Sequence, residues 1–553
     1  MGKNMADITL FKAKKVITMN PRQPTADYIA VKDGLILGAG PKETLTGWGE
    51  YEVDERFADK VILPGFIEGH CHSWEGAAWE DTYVGFLDRT APNREVHSGL
   101  KDIDSVVAKL KQAEQDLAEG KPVKGWGLDP IFFERRVTVS DLDRVSTTRP
   151  VVVVHQSGHI INVNSFVLEK AGIDRETDVD GLVVDDNGDP TGELMGIALY
   201  QTALKAVGVN SVLDMGENAE RSLRWFANSA QIAGVTTVTD LASELTPEML
   251  EVQQSLAAQD DYPIRVVPAF MGQMVPSDQG VDKMLALKDQ STPKLRLGLI
   301  KLIIDGSIQG FTARMKSPGY YNGADNGLWY VDPNELPSII AAYHGAGLQI
   351  HIHTNGDEAT EVALDAIEQV LKTHPDSDAR FTLQHCQMAH EAHFKRMAKL
   401  GVCANLFANH LYYWGDQHHD ITMGPERACR MDGANTAGRL GVNYSIHSDA
   451  PVTHLSPLFT AWCAVNRQTY SGRILGEAER ISVEQALYAI TLGAAYTLKL
   501  DGELGSIECG KRADFTILED DPLAVDPADL KDISVWGTVL DGMVFPVSDI
   551  PCD

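Results

Sequence analysis

The chain has no uninterrupted apolar run of about eighteen residues, so no membrane-spanning helix is expected. Basic residues are scarce. Lys and Arg number 48 against 78 Asp and Glu, a formal net charge of −30. Nucleic acid and anionic membrane surfaces both reward a basic face, so neither is an expected partner. Cysteine is sparse too: seven residues in 553, an odd number spread from Cys71 to Cys552. A disulfide scaffold is denser and paired. Met1-Gly2-Lys3-Asn4-Met5-Ala6-Asp7 opens no apolar signal segment, and a reducing cytoplasm is the expected compartment. Several catalytic signatures are missing as well. There is no GxSxG elbow and no GxxxxGK[ST] phosphate loop. Gly38-Ala39-Gly40 has Glu43 where a dinucleotide loop needs its third glycine, and His390-Glu391-Ala392-His393 is one residue short of HExxH.

What is present is ordinary globular composition, 44% apolar and 23% charged, in a chain long enough for more than one domain. Both ends read as short strands. At the start these are Ile8-Thr9-Leu10-Phe11, Lys15-Val16-Ile17-Thr18-Met19, and a hairpin turning at Lys32-Asp33-Gly34. At the end they are Ala513 to Leu518 and Ile533 to Leu540, followed by an Asp541-Gly542 turn. Residues 1–60 and 501–553 are therefore expected to form one small β-sandwich domain. Between them, apolar strands alternate with helical stretches, the pattern of a (β/α)8 TIM barrel over 61–500. Candidate strands begin at Val61, Val151, Val235, Ile264, Leu299, Leu348, Phe381, Val402 and Val442. That is one more than a barrel holds. The gap after the first strand is too long for a single crossover, so Val151 to Val154 is assigned to an insertion of roughly 140 residues, about 74–215. A helix from Glu217 to Ala233 precedes strand two, and one from Ser482 to Leu492 closes the barrel.

Five barrel strands end in metal-competent side chains. His70-Cys71-His72 places two imidazoles at i and i+2, which on a strand point the same way. Lys301 stands inside the apolar run Leu299 to Ile304, where an unpaired ammonium is costly. His353 ends Leu348-Gln349-Ile350-His351-Ile352-His353, His385 ends Phe381-Thr382-Leu383-Gln384-His385, and Asp449 follows Tyr444-Ser445-Ile446-His447-Ser448. Each alone reads equally as a hydrogen-bonded buried polar group. In a parallel barrel, however, all C-terminal strand ends meet at one face. His70, His72, Lys301, His353, His385 and Asp449 are expected to converge there as a divalent metal site, with zinc the first choice.

The order HxH, Lys, His, His, Asp, flanked by β-rich termini, resembles the amidohydrolase superfamily. Pro64-Gly65-Phe66-Ile67-Glu68-Gly69-His70 and Gly505-Ser506-Ile507-Glu508-Cys509-Gly510-Lys511-Arg512-Ala513-Asp514 carry that resemblance at either end of the barrel. Ser157-Gly158-His159-Ile160-Ile161-Asn162-Val163-Asn164-Ser165, Asp305-Gly306-Ser307 and Ser448-Asp449-Ala450-Pro451-Val452 resemble the YtcJ-like branch, which includes N-substituted formamide deformylases. The resemblance implies one metal on His70, His72 and Asp449, a second on His353 and His385, and a carbamylated Lys301 bridging them. It implies Asp449 as general acid and base. His159 is the candidate donor to the substrate oxygen. The chain departs from the branch in His353-Thr354-Asn355-Gly356-Asp357, where members more often carry an alanine-isoleucine pair, at Phe311 where many carry arginine, and at His447 where glycine is common.

The expected activity is hydrolysis of an amide-type C–N bond by metal-activated hydroxide, on an acyl amide, formamide or cyclic amide. Alternatives are carbamate or ester cleavage and deamination on the same fold; a more distant one is a non-catalytic metal-binding regulator. The expected partner is a small-molecule substrate, with a homodimer as the assembly the reading allows. Trp74, Phe311, Tyr412, Tyr413 and Trp414 are candidate pocket walls. Asp416-Gln417-His418-His419-Asp420 reads as a solvated loop over the barrel mouth, with a lid as the alternative.

Overall fold

A computed structural model describes residues 8–209, 215 and 218–550. Strands from both ends pair in one sheet. Its order is Met543–Pro546, Val535–Leu540, Phe515–Leu518, Tyr51–Pro64, Ile8–Ile17, Thr25–Lys32, Leu35–Gly40. Both anticipated hairpins form, with Asp33-Gly34 and Asp541-Gly542 in the left-handed region that such tight turns require. Hydrogen bonding thus joins strands of both ends in one seven-stranded order. Tyr51–Pro64 is its hinge, parallel to Ile8–Ile17 and antiparallel to Phe515–Leu518.

That strand corrects one expectation. Val61 does not begin the barrel, because Val61 to Pro64 pair with Leu518 to Phe515. The first barrel strand is Phe66–Glu68. The run from Val61 to Ile67 is buried throughout, and continuous burial erases the periodicity that would show a change of sheet. Gly65 makes the crossing. A Cβ there would sit 2.0 Å from Thr236 Oγ1.

The barrel follows as eight parallel strands: Phe66–Glu68, Val235–Ser243, Arg265–Met271, Leu299–Ile303, Gln349–Thr354, Thr382–His385, Cys403–Leu406 and Tyr444–Ile446. The sheet curls until its ends meet. Cys71 bridges Ala450, Asp449 N–H donates to the His70 carbonyl at 3.0 Å, and His72 N–H donates to the Ala450 carbonyl at 2.7 Å. Arg265, fully buried, donates to Asp514 and Asp541 and ties the barrel to the terminal sheet.

Val151–His155 lies outside the barrel, as expected, in a six-stranded mixed sheet inserted between barrel strands one and two. The helix before strand two is Ala219–Ile232; the expected start at Glu217, like Met1 to Asp7, Asn210 to Asp214 and Cys552, lies outside the described residues. The closing helix is broken into Val483–Ala489 and Leu492–Thr497. The break frees the Ile490 carbonyl to accept from Ile67 N–H at 2.9 Å. Among the described residues, no helix is long and apolar enough to cross a membrane.

Candidate metal centre

Parallel strands bring the six expected residues to one end of the barrel. His70 and His72 follow strand one, and Asp449 follows strand eight. The closure bonds hold the two segments side by side. The Nε2 atoms of His70 and His72 lie 3.3 and 3.1 Å from Asp449 Oδ1. His385 Nδ1 is 3.9 Å from Asp449 Oδ2, and His385 Nε2 faces His353 Nδ1 at 3.1 Å. Lys301 Nζ is 3.5 Å from His70 Nε2. No carboxylate pairs with Lys301 among the described residues. The imidazoles run in sequence, with ring centroids 5.3 Å apart for His72–His70, 4.6 Å for His70–His385 and 4.5 Å for His385–His353.

Burial holds His70, His353 and His385 well below the usual histidine range, with neighbouring cationic and imidazole groups adding to the effect. They are therefore neutral, the form that binds metal. Burial also lowers the Lys301 ammonium to about 7. Asp449 Oδ1, His72 Nδ1 and His385 Nδ1 are buried without a hydrogen-bond partner. Native interiors hold few such atoms. Facing lone pairs on His70 Nε2 and Asp449 Oδ1 repel unless a cation lies between them. The donor chemistry and the unpartnered atoms fit a divalent metal.

The backbone is strained at the same place. Asp449, His385 and Cys386 adopt φ of 55°, 67° and 51°. For non-glycine residues this costs about 1–3 kcal/mol each.

The His70 tautomer is set from below. Its Nδ1–H donates to Gln384 Oε1 at 2.7 Å, which leaves Nε2 as the lone pair at the site. Asn405 Nδ2 also donates to that oxygen at 2.8 Å. Gln384 Nε2 donates to His351 Nδ1 at 2.8 Å, and His351 Nε2–H donates to the Thr497 carbonyl at 3.0 Å.

His159 comes from the turn between Val151–His155 and Ile160–Val163 of the inserted sheet, its ring 5.2 Å from His353 and its Nδ1 buried and unpartnered. Burial lowers it to about 4. A cavity of about 80 Å3 lies between His159, Trp74, Lys301 and the remaining ligand candidates.

The chain matches the amidohydrolase family model over residues 58–545. It belongs to the amidohydrolase family. It is 28% identical over 543 residues to the putative amidohydrolase YtcJ of Bacillus subtilis, covering 96% of this chain and 97% of that one. It is 25% identical over 552 residues to an N-substituted formamide deformylase of Arthrobacter pascens, covering 98% of each. The fold superposes on an uncharacterized metal-dependent hydrolase of Pyrococcus horikoshii with a TM-score of 0.71 at 21% identity, over 94% of this chain and 99% of that one.

Several features of this amidohydrolase barrel differ from expectation. Of the candidate wall residues only Trp74 lines the cavity. Phe311 packs on Tyr320 at 5.1 Å, Tyr412 on Phe459 at 5.1 Å, and Trp414 Nε1 donates to Asp129 at 2.6 Å. Tyr413 joins the Trp414 cluster. Aromatic type alone does not say which face of a helix looks into a cavity. The segment from Asp416 to Asp420 is no solvated loop. It continues helix His410–Gln417 into a wide turn, and His418 is fully buried between Gln387 and Thr422. His390 and His393 cap helix Glu391–Leu400.

Two other residues entered the sequence reading only as members of quoted motifs, with no role of their own. Glu68 accepts from His70 N–H and from the Ser448 N–H and hydroxyl, which fastens strand one to strand eight. Burial pushes its carboxyl up to about 8, against the pull of those bonds. Asp305 accepts the backbone N–H groups of Arg314, Asn355 and Gly356 and fixes the turn beside His353.

Proposed function

We propose that this amidohydrolase cleaves an amide-type C–N bond, using zinc held by His70, His72, Asp449, His353 and His385, with Lys301 carbamylated between them. The supporting observation is the set of facing, unpartnered nitrogen and oxygen donors at the barrel mouth. Bound there, the cation supplies Lewis-acid charge that polarises a carbonyl and eases proton loss from water. Lys301, lowered to about 7, offers a neutral amine near neutrality. The amine lone pair forms an N–C bond to CO2 and one N–H proton leaves to solvent, which turns the neutral amine into a carbamate anion. Asp449 takes a proton from the attacking water and returns it to the departing nitrogen. His159 serves as donor to the substrate oxygen from the opposite wall.

The six described cysteines are free thiols, which suits the cytoplasm we assign.

The test is turnover of N-formyl and N-acetyl amines and cyclic amides, beside matched esters, carbamates and amidines. Amide cleavage that stops on chelation and returns with zinc is the expected result. Turnover of esters, carbamates or amidines alone refutes the amide reading, and failure to retain any divalent metal refutes the metal reading.

A further inference from the structure

Thr497 ends helix Leu492–Thr497, and its backbone carbonyl can only accept. Three side chains converge on it: His351 Nε2–H at 3.0 Å, Gln349 Nε2 at 2.8 Å and the Thr382 hydroxyl at 3.3 Å. His351 is fully buried, and burial holds its imidazole down at about 3, so the ring is neutral and carries one proton. The carbonyl claims that proton for Nε2 and leaves Nδ1 as an acceptor. Gln384 must then turn its amide nitrogen to His351, at 2.8 Å, and its oxygen to His70, at 2.7 Å.

The second support of the Gln384 amide has no fixed direction. Asn405 Nδ2 donates to Gln384 Oε1 at 2.8 Å, and Asn405 Oδ1 accepts from the Ser445 hydroxyl at 2.8 Å. A hydroxyl donates or accepts as its neighbours require, and Ser445 Oγ has an alternative partner in Thr497 Oγ1 at 3.4 Å. Both amides and the hydroxyl can therefore reverse together, and of the contacts to Gln384 it is His351 that opposes this. With the Gln384 amide reversed, its nitrogen donates to His70 Nδ1 and the His70 proton moves to Nε2. That atom is 3.3 Å from Asp449 Oδ1. The proton would then bond to a carboxylate, and such charge-assisted bonds are the strong ones.

We infer that His351 is a positioning residue that keeps the His70 proton away from Asp449, so that the metal-free centre stays open to a cation. This rests on the reading of His70 as a metal ligand. His351 touches no reacting atom; it acts through Gln384.

The test uses the full-length metal-free protein with 15N-labelled histidine. Long-range 1H–15N correlation spectra locate the ring protons, and calorimetric titration gives zinc affinity, for wild type, His351→Leu and His351→Gln. In wild type the proton is on Nδ1 of His70 and on Nε2 of His351. His351→Leu should move the His70 proton to Nε2 and weaken zinc at least about tenfold, because the ion must displace a bond to a charged group. The glutamine amide offers both an acceptor to Gln384 and a donor to Thr497. His351→Gln should therefore return the His70 proton to Nδ1 and zinc affinity to within about threefold of wild type. A packing role for His351 would lower Tm without moving that proton. A wild-type His70 proton on Nε2 overturns the inference, as does one that stays on Nδ1 in His351→Leu. Should the leucine variant misfold by circular dichroism, His351→Met is read by the same criteria. If wild type binds no zinc, the metal reading fails, and the proton positions in the metal-free protein still decide this one.

Discussion

Gln384→Leu isolates what holds His70 in register. The side chains are similar in length, so packing changes little while three hydrogen bonds vanish. His70 Nδ1–H loses an acceptor, His351 Nδ1 loses a donor, and Asn405 Nδ2 loses one acceptor, all in a fully buried layer. An orphaned buried polar group costs about 1–3 kcal/mol. Asn405 Nδ2 loses its acceptor as well, although the Asn405 side-chain oxygen still accepts from Ser445. Counting only the two imidazoles gives about 2–6 kcal/mol, a large share of the roughly 5–15 kcal/mol that separates folded from unfolded chains. For a chain of this size, 3 kcal/mol corresponds to a Tm loss of about 3 °C or more. A second effect is independent of stability. Without Gln384 the His70 ring is free to change tautomer or rotate, and loss of such a support weakens metal binding about 10–100-fold. The assays are differential scanning calorimetry of the metal-free protein and zinc titration at a temperature where the variant is folded. Gln384→Glu is the companion variant. It keeps the acceptor for His70 but gives no donor to His351, so it should retain zinc affinity better than the leucine variant while still losing stability. Equal zinc affinity in wild type and Gln384→Leu would refute the orientation argument, and an unchanged Tm would refute the hydrogen-bond argument.

Three further expectations follow from the same geometry. Asp449→Asn should lower kcat by at least about 100-fold while zinc still binds, and steady-state kinetics with metal analysis checks it; wild-type kcat removes Asp449 from proton transfer. Lys301 carries a lowered value in the folded chain, about 7, against about 10.4 when unfolded. Between those values the unfolded chain binds the extra proton, so stability of the metal-free, CO2-free protein rises with pH, by on the order of 4 kcal/mol over the whole window. Lys301→Met should flatten that rise in urea titrations taken at successive pH values, and an unaltered slope would count against a lowered lysine. Gly65→Ala should lower Tm, because its Cβ meets Thr236 at 2.0 Å. Thr236→Gly in the same chain should restore part of the loss, and no restoration would point to a different clash.

Some of the site was legible because strand geometry is local. His70 and His72 at i and i+2 must share a face, and a count of strands was enough to place Lys301, His353, His385 and Asp449 at one rim. Gln384 and Glu68 lay in the quoted strand phrases but carried no signal of their own. Each sits in an apolar run and acts through neighbours hundreds of residues away or on the facing strand. The passage from terminal sheet to barrel at Gly65 was hidden because both sides of it are buried.

What the sequence alone determined is the list of candidate donors, the barrel strands that carry them and the meeting of strands from both ends. These depend on periodicity and spacing, which are properties of short stretches. The tertiary structure alone decided which nitrogen of each imidazole faces the others and that Glu68 and Gln384 hold His70 in place. Those outcomes depend on distances across the closed barrel, between strand one and strands six and eight, and no local pattern encodes them.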